Sequence, residues 1–215
     1  MKRETAICVL ASLTVAVAPI AAAAQQMSFK VLPSPSRATF KTDAPLETII
    51  GNTAGPAITG TVTGDLSRPQ MATGTIRVDL TTLKTGIDKR DADLRGKDFL
   101  HTEIEANRNA VFELKSVEIG GPLERSKEMP AKLKGILTIK GSPVEVVADA
   151  RITYVPLTPE QFESQKRFGF TGDNIRIKAK FNTSFTNHGM QVPQLMFMKL
   201  SNEIQLETDL TLVRQ

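Results

Sequence analysis

Cysteine, tryptophan, tyrosine and histidine are scarce in this chain of 215 residues. The single cysteine, Cys8, lies near the N-terminus, and the chain has no tryptophan, one tyrosine and two histidines. A chain with one thiol can form no internal disulfide and no metal site built from several thiolates. The shortage of Trp and Tyr also removes side chains on which nucleic-acid bases commonly stack.

Charge of one sign is not concentrated in any part of the sequence. The 27 Lys and Arg residues and the 23 Asp and Glu residues are interspersed and give a net charge of +4. No dense basic block follows the pattern of a nucleic-acid-binding surface. We therefore expect no nucleic-acid partner, whereas a transient contact with an anionic membrane surface stays open for a weakly basic chain.

The N-terminal segment has the three parts of a secretory signal peptide. Lys2 and Arg3 precede a run from Thr5 to Pro19 that is almost entirely apolar or small, and alanines that end at Ala24 follow it. The apolar run is shorter than the roughly 20 residues that a membrane-spanning helix needs. We predict that residues 1–24 are cleaved off, that residues 25–215 form a single domain, and that this domain is exported to the periplasm.

Apolar and polar residues alternate over most of the remaining chain, as in strands with one buried and one exposed face. Clear examples are Ile76, Val78 and Leu80; Leu133, Gly135, Leu137 and Ile139; Val144, Val146, Ala148, Ala150 and Ile152; Ile175, Ile177, Ala179 and Phe181; and Ile204 and Leu206. This pattern is typical of antiparallel sheets. The sequence predicts an all-β fold of about eight strands, which closure into a barrel would leave without open edges.

Two short helices are expected to interrupt these strands. The segment from Gly86 to Lys97 contains Asp88, which we assign as its N-cap. Thr158-Pro159-Glu160-Gln161 resembles a capping box with proline in the first helical position. The residues from Ala44 to Ile50 are expected to form a short helical or loop segment.

No motif in the sequence supports catalysis. His101 and Glu103 form a His-x-Glu fragment, but the Pro-Cys-x-x-Cys partner that zinc deaminases require is absent. A serine in a nucleophile-elbow motif is also absent. We therefore predict no catalytic residue and no metal site, and we interpret His101 and His188 as surface or loop histidines without a catalytic role.

Several motifs recur in the order and spacing of one family. They are the stretch Gly74 to Gly86, then Arg90-Asp91, Leu94, Asp98-Phe99-Leu100 and Ala110-Val111-Phe112, a Gly-x-Leu-Thr-x-x-Gly hairpin at Gly135 to Gly141, and Asn187-His188-Gly189-Met190. Together they resemble the YceI-like family over residues 28–213. Where that family often opens with His-Ser, this chain has Ser36-Arg37.

The resemblance implies a lipocalin-like antiparallel barrel that binds a polyisoprenoid chain, such as the tail of an isoprenoid quinone, in the periplasm. It also implies that Arg90, Asp91, Leu94 and Phe99 are structural and pin the first helix across a barrel end. Each buried CH₂ of such a tail gains roughly 0.8 kcal/mol, so no polar chemistry is needed to hold it. We expect the ligand to contact Phe112, Leu114, Leu133, Leu137, Ile139, Val146, Ile177, Ala179, Phe181, Phe185, Ile204 and Leu206.

The leading hypothesis is a periplasmic binding or carrier protein, not an enzyme, with the isoprenoid lipid as its ligand rather than as a cofactor. Two alternatives stay open. One is an enzyme that acts on an envelope lipid or a small substrate, and the other is a packed structural or partner-binding barrel without a ligand. A solid core and a dry lumen give the same alternation, so the pattern does not separate them. A homodimer is also left open.

Overall fold

The computed structural model describes residues 25–195 and 198–215. The predicted signal peptide, residues 1–24, lies outside them. The strands are β1 (Met27–Val31), β2 (Arg37–Ala44), β3 (Glu47–Ala54), β4 (Ile58–Gly64), β5 (Thr73–Asp79), β6 (Asn109–Ile119), β7 (Glu128–Ile139), β8 (Ser142–Pro156), β9 (Asp173–Ser184), β10 (Gln194–Leu195), β11 (Met198–Lys199) and β12 (Glu203–Arg214). The α-helices are α1 (Asp88–Arg95) and α2 (Pro159–Gln165).

Eight antiparallel strands close into a barrel in the order β1-β4-β5-β6-β7-β8-β9-β12, because β1 also pairs with β12. In the closing pairs, Phe29 lies opposite Arg214 and Val31 lies opposite Leu212. The all-β barrel fold with two short helices is therefore confirmed. Closure leaves each strand of the ring paired on both sides.

The β2–β3 hairpin extends the wall at one end of the barrel. The chain bends between β1 and β2 at Ser36, whose buried hydroxyl donates to the Leu32 carbonyl oxygen at 2.7 Å and accepts from the Thr211 amide at 3.2 Å. β2 then pairs with the first half of β12. The outer edge of the hairpin is tied down where Asn52 and Lys84 exchange two backbone hydrogen bonds of 2.9 and 3.0 Å.

The connections alternate between two ends because neighbouring strands run antiparallel. The β5–β6 connection contains α1, and the end where it lies is called the α1 end; the β8–β9 connection contains α2 and marks the opposite α2 end. A cluster of buried side chains occupies the α2 half: Met27, Phe29, Val31, Ile58, Val117, Ala131, Leu133, Ala148, Ala150, Ile152, Ile175, Leu210 and Leu212. A second cluster occupies the α1 half: Phe40, Ile49, Leu80, Leu83, Leu100, Leu137, Ile139, Val146, Phe185, Met190, Leu200 and Ile204.

Both predicted helices form, with different outcomes for their caps. The Thr158 hydroxyl accepts from the Gln161 amide at 3.3 Å, and the Gln161 side chain accepts from the Thr158 amide at 2.9 Å, so the capping box is confirmed. Asp88 is not an N-cap, because it is the first residue inside α1 and Ile87 precedes it without a capping side chain. No helix in the described part of the chain is long and apolar enough to span a bilayer.

The prediction of a short helical or loop segment from Ala44 to Ile50 was wrong. Ala44 ends β2, Pro45 and Leu46 form a tight turn, and β3 begins at Glu47. The alternation in β3 is hard to recognise in the sequence because one of its inward positions is Gly51, which contributes no apolar side chain. The extended conformation of β3 is set by its pairing with β2 along the whole strand rather than by its own residue pattern.

Candidate functional site

An apolar cavity of about 180 Å³ lies inside the barrel. It runs from the α1 end toward the middle, since its lining includes members of both buried clusters, for example Leu100 at the α1 end and Leu210 in the α2 half. The inward faces of β2 to β9 and β12 form its side wall, with β3 contributing Thr53. Strand alternation thus places one continuous apolar surface around an unfilled space.

The structure places eleven of the twelve predicted ligand-contact residues in the wall of this cavity. They are Phe112, Leu114, Leu133, Leu137, Ile139, Ile177, Ala179, Phe181, Phe185, Ile204 and Leu206. Val146 does not line it, although it is buried in the α1-half cluster. Val146 pairs across the strands with Gly135, and the Phe112 ring lies over that glycine and covers this part of the wall.

Sequence reasoning missed a large share of the lining. The additional apolar residues are Ala38, Phe40, Val62, Gly74, Ile76, Val78, Leu80, Leu83, Leu94, Phe99, Leu100, Ala110, Ala148, Met190 and Leu210. Those on strands follow the alternation and could have been included. Leu83, Leu94, Phe99 and Leu100 lie in and around α1, where no strand periodicity identifies them; Leu94 and Phe99, interpreted as structural, therefore also face the cavity.

Polar groups contribute little to the cavity wall. Thr53 turns its hydroxyl to Thr82, with 2.5 Å between the two oxygens, so it has a protein partner already. Glu207 belongs to the wall, but its carboxylate accepts from Lys41 at 3.1 Å in a half-exposed ion pair on the strand's polar face. The wall therefore offers a ligand dispersion contacts and apolar burial rather than charge.

Two phenyl rings lie where the halves of the barrel interior meet. The ring centroids of Phe112 and Phe181 are 6.3 Å apart, with the ring planes tilted by 34°. Both side chains pack against the α1-half cluster and against the α2-half cluster. The separation of the ring centroids is within the range of favourable aromatic pairs, and both rings line the cavity.

Asp91 fixes α1 across the barrel end. Its side chain is 1% exposed, and one carboxylate oxygen accepts from the Thr85 hydroxyl at 2.6 Å and the Thr85 amide at 2.7 Å. The Thr85 hydroxyl, followed by the Thr85 amide and the Lys84 ammonium 3.7 Å away, holds the pKa of Asp91 below its usual range against the opposing effect of burial. Arg90 adds a contact of 2.9 Å to Glu47 on β3.

The two histidines occupy different environments. His101 is half-buried in the loop after α1, with a left-handed φ of 51°. His188 is in a loop but is fully buried, which corrects the expectation of a surface position. Its Nδ1 donates to the Ser142 carbonyl oxygen at 3.2 Å and its Nε2 accepts from the Thr183 hydroxyl at 2.8 Å, while burial lowers the pKa of the ring.

The uncharged His188 ring therefore links β9 to the start of β8 through two hydrogen bonds. Within residues 25–195 and 198–215, no three side chains of His, Cys, Asp or Glu come close enough together to hold a metal ion. The wall of the cavity is apolar, so the site is suited to an apolar ligand.

A closed antiparallel barrel around an apolar cavity is the class of protein that these features define. Residues 29–212 match the sequence profile of the YceI-like domain, so the chain belongs to the YceI-like family. The resemblance seen in the sequence motifs is thus confirmed. No curated protein sequence matches the chain.

Solved structures share this fold at low sequence identity. A polyisoprenoid binding domain from Saccharophagus degradans, implicated in plant cell wall breakdown, is 11% identical with a TM-score of 0.64, and the match covers 88% of this chain and 99% of that one. BcnA from Burkholderia cenocepacia is 13% identical with a TM-score of 0.59, over 82% and 95%. The YCEI protein of Campylobacter jejuni is 16% identical with a TM-score of 0.59, over 79% and 86%.

Proposed function

We propose that this chain is a periplasmic carrier that holds the tail of an isoprenoid lipid in its barrel, without catalysing a reaction. The observation that carries the proposal is the cavity wall, in which Leu, Ile, Val, Phe and Ala side chains predominate. Membership of the YceI-like family supports it. The polyisoprenoid binding described for the Saccharophagus degradans domain favours a prenyl chain over other apolar ligands.

The size of the cavity is consistent with a tail that enters by one end. Its volume of about 180 Å³ exceeds the ~150 Å³ of a dry apolar cavity that binds benzene. A short run of tail therefore fits as the cavity stands, and deeper insertion requires side chains in the wall to move. Each CH₂ that becomes buried contributes roughly 0.8 kcal/mol, so a few isoprene units suffice for stable binding.

Native mass spectrometry of protein expressed with its own N-terminal segment in a bacterial host tests this function. We expect a mature chain that begins at Gln25, found in the periplasmic fraction, with an adduct whose extracted mass matches a prenyl lipid. A chain that purifies empty and then fails to bind prenyl alcohols in solution would contradict the carrier function. A chain that keeps residues 1–24 and stays in the cytoplasm would contradict the localisation.

A further inference from the structure

One buried glycine of the β2–β3 hairpin is covered by an aromatic ring. Gly51 occupies an inward position of β3 and lies directly opposite Phe40 of β2. A Cβ atom at Gly51 would stand 2.8 Å from Cζ and 2.9 Å from Cδ1 of Phe40, and closer still to Cε1. Carbon atoms in favourable contact are roughly 3.5–4.0 Å apart, so the ring occupies the space that a side chain at this position would need.

The backbone at Gly51 does not itself require glycine. Its φ is not positive, so any residue can adopt the conformation. The nearest atoms to a Cβ placed there all belong to the Phe40 ring. Gly135 is different, since a Cβ there would meet the Glu113 carbonyl oxygen as well as the Phe112 ring. Gly51 is therefore the position where an added methyl group displaces only a ring.

The ring can leave Gly51 in one direction. Phe40 lines the cavity, so the ring has β3 behind it and open space in front. On β3 the adjacent inward positions carry the buried side chains of Ile49 and Thr53, whereas the cavity in front of the ring is unfilled. A methyl group at residue 51 would therefore push the ring into the cavity.

We propose that Gly51 is a positioning residue that sets the width of the cavity at the α1 end by letting the Phe40 ring pack against β3 where a side chain would otherwise stand. The inference rests on the proposed function, and it deepens it by naming what decides how bulky a tail the barrel accepts. The effect of Gly51 on the ligand is indirect and acts through Phe40. A change equivalent to one methylene in an apolar pocket typically alters recognition by about 10- to 200-fold.

The test compares Gly51→Ala, Phe40→Leu and the double variant, with geranylgeraniol as the titrated ligand and a melting curve for each protein. We expect Gly51→Ala to weaken binding about tenfold or more, because the ring then obstructs the methyl-branched chain. In the Phe40→Leu background, where no ring can be displaced, Gly51→Ala should change affinity by less than about twofold.

The same measurements distinguish a failure of the proposed function from a failure of the role assigned to Gly51. Wild-type protein that does not bind geranylgeraniol refutes the proposed function, whatever the variants do. Wild-type protein that binds, together with Gly51→Ala that binds equally well, refutes the role of Gly51. If Gly51→Ala alone does not fold, the comparison between Phe40→Leu and the double variant decides, and a tenfold loss there would show that Gly51 does not act through the ring.

Discussion

The two halves of this barrel have the same strand pattern but different interiors. In the α2 half, Phe29, Ile58 and Leu212 are at most 2% exposed and pack in one cluster. In the α1 half, the wall residues surround most of the cavity, and a buried aspartate and a buried histidine fix the connections that cover it. The alternation of the strands therefore determines which side chains point inward, but it does not determine whether those side chains fill the interior or leave a cavity.

The ends of the two halves are also closed differently. At the α2 end, the Tyr154 hydroxyl donates to Asp173 at 2.6 Å, and Arg214 donates to the same carboxylate at 2.8 Å. Burial, followed by the bond to Asp173, raises the pKa of Tyr154 to about 12, so this hydroxyl stays protonated. This network joins β8, β9 and β12 directly, whereas the α1 end is covered by a helix that is held by one contact to the loop before it and one contact to β3.

The largest difference between the halves should be seen in their response to truncation. Leu212→Ala removes a fully buried side chain from the packed half and should cost about 2–5 kcal/mol of unfolding free energy. Leu206→Ala removes a side chain that lines the cavity and has fewer contacts to lose, so roughly half that cost is expected. Urea unfolding of both variants measures the difference, and equal losses would show that the α1 half is as tightly packed as the other.

Much of this contrast could not be predicted from the sequence. Apolar and polar residues alternate along most of β7, β8, β9 and β12, and the inward residues of these strands were predicted correctly. The alternation of β3 could not be recognised because Gly51 occupies one of its inward positions. The lining residues around α1 lie in a connection whose path depends on the hydrogen bond between Thr85 and Asp91. The size of the cavity depends on how Phe40 and Phe112 lie over glycines in neighbouring strands, which is a property of packing rather than of periodicity.

A smaller effect is expected from loosening the cover of the α1 end. Asp91→Ala leaves the Thr85 amide and hydroxyl without their acceptor and should cost about 1.5–3 kcal/mol, in line with hydrogen bonds to a charged group. Asp93→Ala is the matched control on the same helix, because its exposed ion pair with Lys89 should contribute less than about 0.5 kcal/mol. Similar losses for both variants would mean that Asp91 does not fix the helix.

The pH dependence of this contact has a defined sign. Because the folded pKa of Asp91 is lowered, its contribution is complete above the unfolded pKa of about 3.9 and is lost as the pH falls through the folded pKa. Asp91→Ala should therefore reduce the acid sensitivity of unfolding relative to wild type below that pH. If urea titrations show the same loss of unfolding free energy at acid pH in Asp91→Ala as in wild type, this assignment is wrong.

His188 should give a smaller effect in a separate pH range. Burial lowers its folded pKa, so its contribution is complete above the unfolded pKa of about 6.5 and declines as the pH falls below it. One group changes stability by at most about 1.4 kcal/mol per pH unit. Unfolding measured at neutral and mildly acidic pH should show this decline in wild type and in His101→Ala, but not in His188→Gln; a decline that survives in His188→Gln would assign it to another group.

The smallest change in stability is expected for Ala179→Trp, although it should have the largest effect on ligand content. Ala179 is a small residue on the inward face of β9, between Ile177 and Phe181, and it lines the cavity. An indole ring that enters the existing space displaces a lipid tail without forcing the wall apart. If that space is closed in solution, the same ring must be forced into a packed core, and overpacking typically costs about 1–3 kcal/mol.

A melting curve and solvent-extracted lipid from wild type and Ala179→Trp, purified side by side, distinguish these outcomes. We expect nearly equal melting temperatures and a sharp loss of bound prenyl lipid in the variant. A strongly destabilised variant, combined with wild-type protein that carries no lipid, would mean that the α1 half is as solid as the α2 half. The two halves would then differ only in the connections that close their ends. This follows because an indole ring can be added without strain only where the barrel is hollow.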